Sequence, residues 1–340
     1  RMSRGLGDVY KRQGSVKLEG AIAQNLLMDL KPYIDENGLE AQVGANYEQN
    51  QVDGKIYTVS IGLASIGMWV NTDVLEATGA TMPEEWTTWE AFADAMETVR
   101  VNGEAMGYYS YGSGQGSIRM FNAALAATPA GAEMLKGPLT ADAINSEEFA
   151  DAFRTVATLD QQNGSANSSV NANDFAADFN NGLSAVFING VWGASQFAGS
   201  DNFVSCIYPN SVAISSANTG LYVANDLSDA QKELALEFIK YMTSEEVQSR
   251  YFLETSSNPI NENVDIQKLA QESGDPTALK LAEACDKCNK ADTIVLAIDV
   301  CWGNDVGGAL QNKFAECAVA GTDIEAKLAE LQAELTALIG

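Results

Sequence analysis

The chain has 340 residues, 46% of them apolar, and carries 20 Lys+Arg against 46 Asp+Glu with no histidine, a formal net charge of −26 at pH 7. That length favours two lobes over a single core, and no run reaches the roughly 20 apolar residues of a membrane-spanning helix. The negative field disfavours nucleic acid and anionic membrane surfaces as partners, and the missing histidine excludes a Ser-His-Asp triad, a Cys-His dyad and His-containing zinc sites.

Residues 1–13, RMSRGLGDVYKRQ, are basic in an otherwise acidic chain and lack the apolar core of a signal peptide. They read as a non-native leader, and without them 16 basic residues face 45 acidic ones, a net −29. KIYTVSIGLA (55–64) and GMWVNTDVL (67–75) read as β-rich. Thr87 and Glu90 have the spacing of a capping box at the head of the amphipathic helix TWEAFADAMETVR. GYYSYG (107–112) reads as a strand and the glycine-rich Gly112–Ser117 as a loop, suited either to cradling an anion or to flexing beside a cleft. IRMFNAALAA reads as a helix, and so does SEEFADAFRTVATLDQQNG, with Gly164 as a left-handed stop. The polar SANSSVNAN (165–173) reads as a surface loop.

Leu183 and the run Ala185–Ile188 suit a buried strand, which Asn189-Gly190 breaks before Val191-Trp192-Gly193 and a helix-like Ala194–Ala198. A large indole between two glycines has little beside it to pack on. NFVSCIYP and GLYVAND read as strands, and DAQKELALEFIKYMTSEEVQSRYF as a helix with Leu234, Phe238, Ile239 and Met242 on one face. Cys285 and Cys288 form one CxxC within a helical pattern. With only Cys206, Cys301 and Cys317 to complete it, a structural role is preferred over a metal site. The helix DIEAKLAELQAELTALI closes an α/β pattern. There is no P-loop, no GxGxxG and no GxSxG. Pairs of carboxylates carry no signal among 46 acidic residues.

Four segments, in order across roughly residues 21–340, carry a family resemblance. DGKIYTVSIGLASIGMWVNTDVLEATGA resembles a Gly-Lys-x-Tyr strand followed by Tyr-Asn-Lys-Asp-Leu, and WTTWEAFADAMETVR a Thr-Trp-x-Glu-Phe helix. DFNNGLSAVFINGVWGASQF resembles a Phe-x-x-Gly-x-x-Ala-Met-x-x-x-Gly-x-Trp signature. SDAQKELALEFIKYMTSEEVQSRYF resembles an Ala-x-x-Phe-x-x-Phe-x-Thr-Ser-x-Glu-x-Gln helix. Together they resemble the extracellular solute-binding proteins of ABC importers, the family that includes maltodextrin-binding protein. Ser60 departs from the family's proline and Thr72 from its lysine.

The resemblance implies a two-lobed, type II periplasmic-binding-protein-like fold with a hinge. Lobe I would comprise 14–62 and 222–292, lobe II 66–218 and 293–340, with crossings near 61–66, 216–222 and 290–294. Family members place a strand–helix–strand unit ahead of the segment matched by AIAQNLLMDLKPYIDENG. The expectation is therefore an N-terminally truncated member whose lobe I is incomplete and prone to aggregate through open strand edges.

The resemblance also implies a ligand held between lobes at strand ends, where sugar rings stack on aromatic side chains. Trp192 matches a stacking position, and the alternative for it is an interlobe or core tryptophan. Trp302, flanked by Asp299, Asn304 and Asp305, is the second candidate, or else a loop tryptophan packed on a helix. Tyr111 and Ser65 follow, while Trp69, Trp86 and Trp89 read as core. The implied function is the carbohydrate-binding component of an ABC transporter, delivering a mono- or oligosaccharide to permease transmembrane subunits. It would act as a monomer outside the cytoplasm, with a lipid anchor ahead of this sequence, and without metal, cofactor or enzymatic activity. The alternatives are a polyamine or other small cationic solute on the same fold, a carboxylate-dependent glycoside-acting enzyme, and a receptor serving a sensor kinase.

Overall fold

A run of small and apolar residues from Gly62 to Asn71, buried on both faces from Ser65 onward, forms the longest strand of the computed structural model, which describes residues 19–104, 112–164, 172–217 and 220–340. In chain order the strands are β1 (Gln51–Val52), β2 (Lys55–Ile56), β3 (Val59–Ser60), β4 (Gly62–Asn71), β5 (Val186–Gly190), β6 (Phe203–Cys206), β7 (Val212–Ser216), β8 (Gly220–Leu221), β9 (Asn258–Pro259) and β10 (Thr293–Val295). The chain folds as two compact units. The first holds the residues up to Ala64 with Ser216–Ala282, and the second holds Ser65–Ser215 with Glu283–Gly340.

In the first unit β1 and β2 pair antiparallel across Asp53-Gly54, whose positive φ angles of 52° and 75° suit a tight hairpin turn. β8 pairs antiparallel with β3, and β9 with the first residues of β4. Leu30, Ile34, Val43, Ile56, Val59, Val223 and Ile239 are among the residues that close the core. Buried Asn46 bonds to both backbone groups of Ser60, and buried Gln248 bonds to Ile61 O and Ile260 N. The long helix expected over residues 229–252 is two helices, Asp229–Met242 and Glu245–Thr255. Ser244 caps the second by accepting from Val247 N. Leu234, expected on the core face, is 56% exposed, and the face turned inward is centred on Ala235 and Ile239.

In the second unit the sheet runs β10-β7-β4-β5, with β6 also on β4. β5 and β6 lie antiparallel to β4, and β10 lies parallel to β7. Helices pack on it around Phe92, Phe121, Phe149, Phe153, Leu310 and Phe314, and Trp69, Trp86 and Trp89 are buried.

Four local expectations are corrected here. The strand read over 67–75 ends at Asn71, whose side chain caps a helix Thr72–Thr78 by accepting from Asp73 N. The next helix is capped by Thr88, which accepts from Ala91 N, and not by Thr87. The glycine-rich stretch from Gly112 is the first part of a helix, Gly112–Ala126, continuous with the apolar run from Ile118 that reads as helical. Gly164 is extended, at φ −78° and ψ 169°, not left-handed. A Cβ there would stand 2.7 Å from Asp160 O, so the glycine answers to close approach. The expected strand at 107–112, except Gly112 itself, and most of the loop 165–173 lie outside the described residues.

Candidate functional site

Strand register gathers several separate segments at one end of the second unit's sheet. Ile66, near the start of β4, lies opposite Gly190, the last residue of β5. Ser65 Oγ meets Ser215 Oγ at 3.1 Å, which sets the end of β7 beside the start of β4, and parallel β10 ends next to β7. The carboxyl ends of β5, β7 and β10 therefore share an edge, the usual place for a ligand in an open α/β sheet.

The turn after β5 explains the tryptophan between glycines. Val191–Gly193 is a single 3-10 turn in which Val191 and Gly193 are buried and Trp192 stays 40% exposed. A Cβ on Gly190 would lie 2.2 Å from both Cη2 and Cζ3 of Trp192, and one on Gly193 would lie 2.4 Å from Nε1 of Trp69. Trp69 Nε1 in turn donates to Gly190 O at 2.9 Å. Both glycines have negative φ, −77° and −58°. They serve to let two indoles approach the backbone, Trp192 at Gly190 and Trp69 at Gly193. Ser195 Oγ donates to Trp192 O and steadies the turn.

The segment after β10 is fixed by Asn122, a fully buried residue of the helix Gly112–Ala126. Its Nδ2 donates to Leu296 O at 3.2 Å and its Oδ1 accepts from Ile298 N at 2.9 Å. This two-point clamp orients the short helix Ile298–Cys301 and hence Asp299. Asp299 Oδ1 pairs with Arg119 Nη1 at 2.5 Å, the two side chains 33% and 23% exposed. Trp302 is 7% exposed and its Nε1 donates to Met134 O at 3.2 Å. Its ring stacks on Phe149 and leans on Phe121. Asn304 and Asp305 are exposed at the start of the helix Asn304–Cys317.

The structure thus brings Ser65, Trp192 and Asp299 to one end of the sheet, with Ser65 fully buried there and Trp302 turned into the core. Tyr111 lies outside the described residues. Arg119 and Asn122 escaped the sequence reading. The available signal was one cation and one amide set in the otherwise apolar run IRMFNAALAA.

The five cysteines are unpaired, and burial pushes the thiols of Cys206, Cys288 and Cys301 up to about 12. Among the described residues no group of three His, Cys, Asp or Glu side chains is placed to hold a metal ion, and no helix is long and apolar enough to cross a membrane.

The model of the bacterial extracellular solute-binding protein family matches residues 13–277. The chain belongs to that family. A Streptococcus pneumoniae solute-binding protein, solved in complex with the blood group A-trisaccharide, is 41% identical, with a TM-score of 0.87 over 94% of this chain and 81% of that one. A chitin oligosaccharide binding protein is 19% identical, with a TM-score of 0.75 over 97% of this chain and 82% of that one. The sugar-binding protein MalE from Xanthomonas citri is 17% identical, with a TM-score of 0.77 over 97% and 83%. No curated protein sequence matches the chain. The fold is the two-lobed periplasmic-binding-protein-like one, and the family description places its members outside the cytoplasm.

Proposed function

We propose that this solute-binding protein takes a carbohydrate against the sheet end that carries Trp192 and hands it to the transmembrane subunits of an ABC importer. Trp192 is the observation that carries the reading. Its backbone is fixed by a buried turn while its ring stays 40% exposed. An indole held in this way offers a rigid apolar face to the C–H face of a sugar, which stacks on it while the hydroxyls take polar partners. Asp299, Arg119, Asn304 and Asp305 supply such partners within the same unit. The 41% identical protein solved with a trisaccharide supports a carbohydrate ligand.

Trp302 serves this reading from behind, as packing beneath the segment that bears Asp299. A polyamine would need a bare carboxylate and an open aromatic face at Asp299 and Trp302, whereas Asp299 is paired with Arg119 and Trp302 is covered by Phe149 and Phe121. The protein binds and delivers its ligand without turning it over, as a monomer held at the outer face of the membrane by a lipid anchor.

The test is intrinsic tryptophan fluorescence, titrated with the blood group A-trisaccharide, chitin oligosaccharides, raffinose and spermidine. A saturable change with one sugar, lost in Trp192→Ala, is the expected result. Saturation with spermidine alone would overturn the ligand class, and an unchanged sugar response in Trp192→Ala would overturn the site.

A further inference from the structure

We infer that Arg119 and Asp299 form a charge-neutral selectivity pair, which turns the ligand-facing end of the second unit toward uncharged sugars and against sugars that bear a carboxylate or a free, charged amine. The inference rests on the carbohydrate reading above and names the ligand class of that site.

Arg119 comes from the helix Gly112–Ala126 and Asp299 from the segment after β10, and they meet through Arg119 Nη1 and Asp299 Oδ1. Each side chain keeps a quarter to a third of its surface exposed, at 23% and 33%, so the pair is not sealed in the core. A guanidinium has five N–H donors and a carboxylate has acceptor sites on both oxygens. Among the described residues the pair meets through Nη1 and Oδ1, and the other N–H groups of Arg119 and the second oxygen of Asp299 are the groups that would meet a ligand. A donor and an acceptor side by side, with no net charge between them, match neighbouring hydroxyls.

The pair is set before any ligand arrives. Asn122 clamps Leu296 O and Ile298 N and so fixes the backbone on which Asp299 stands, and Trp302 anchors the far side through Met134 O. A cation placed alone at a partly desolvated site attracts carboxylates, and a lone carboxylate attracts amines. With both present the two attractions cancel, although the chain as a whole carries −26. Selection against either charge then comes from leaving one member of the pair without its partner or meeting a like charge.

Three probes read this directly: the neutral blood group A-trisaccharide, a glucuronate-terminated oligosaccharide and a glucosamine oligosaccharide. Isothermal titration of the wild-type protein is expected to give the neutral probe the tightest Kd. Asp299→Asn unmasks Arg119 and should shift the ratio of Kd values toward the glucuronate probe by about tenfold or more. Arg119→Met should shift it toward the glucosamine probe by a similar factor. Both shifts should shrink between 0.05 and 0.5 M salt, as exposed charge effects do. The double variant should return to preferring the neutral probe. Circular dichroism checks folding, and Asp299→Ser or Arg119→Gln replaces a variant that does not fold. A pair that is only structural would weaken all three probes together, in step with a lower melting temperature, and that result overturns the inference while leaving the carbohydrate reading standing. A wild-type protein that binds no sugar overturns the reading and the inference with it.

Discussion

The indole of Trp192 lies against the backbone of Gly190, closely enough that a single methyl group on Gly190 would stand 2.2 Å from two of its ring carbons. Gly190→Ala must therefore displace the ring, because Trp69 holds the backbone of Gly190 in place through its bond to Gly190 O. We expect the variant to lose no more than about 1 kcal/mol of stability, because the ring that must move is 40% exposed and Gly190 has a φ that alanine adopts freely. It should also weaken the sugar that the wild-type protein binds by tenfold or more. Urea unfolding and fluorescence titration check the two effects, and unchanged binding would separate the position of this ring from recognition.

Trp192→Ala should be as mild in its effect on stability. The ring is 40% exposed, so its removal deletes little core contact, and the change in unfolding free energy should stay within about 1 kcal/mol. Affinity should fall by about 10- to 100-fold, as removal of an aromatic anchor commonly does. A large fall in melting temperature with retained affinity would make Trp192 a packing residue.

Asn122→Ala removes both bonds of the clamp at once and leaves Leu296 O and Ile298 N without their partner in a buried place. An unsatisfied buried polar group costs about 1–3 kcal/mol, so a loss of about 2–4 kcal/mol is expected from urea unfolding. Asn122→Asp should be no more stable than the alanine variant, since an ionised carboxylate there lacks the donor for Leu296 O and buries an unpaired charge. Equal stability of Asn122→Ala and wild type would show that the segment after β10 holds itself.

Much of this was legible in the sequence wherever local chemistry decides. Most of the apolar run Ala185–Ile188 lies in β5, but the strand continues through Asn189 and Gly190, which read as its break, because both pair with β4, and Leu183 is exposed. The indole between two glycines pointed at a special turn. Legibility failed where a contact from far along the chain decides. Trp302 reads as a loop aromatic beside three polar residues, yet Phe149 and Phe121, well over a hundred residues away, draw it into the core. Asp299 reads as a free carboxylate until Arg119, 180 residues earlier, is seen beside it. Glycine misled in both directions. Gly164 looked like a left-handed stop and is extended, while Gly112 looked like loop and begins a helix. The residue type announces conformational freedom or close approach, and only the neighbours decide which.

Cys285 and Cys288, one turn apart on the helix Pro276–Asn289, are both buried, and burial raises both thiol pKa values, that of Cys288 to about 12. In the unfolded chain a thiol titrates near 8.5. Below that pH both states keep their protons and these groups leave stability level. Between about 8.5 and 12 the unfolded chain releases protons that the folded protein retains, so the unfolded state gains and stability falls as the pH rises. The slope reaches at most about 1.4 kcal/mol per pH unit for each thiol. Urea unfolding at pH 8, 9 and 10 should therefore show a decline that Cys288→Ala makes shallower by one thiol's share. A maleimide at pH 7.5 should leave both residues unmodified in the folded protein and label them in urea. Rapid labelling of the native protein would mean that this helix opens, and a pH profile unaltered by Cys288→Ala would assign the alkaline decline to other groups, such as buried Tyr208, whose hydroxyl burial also raises.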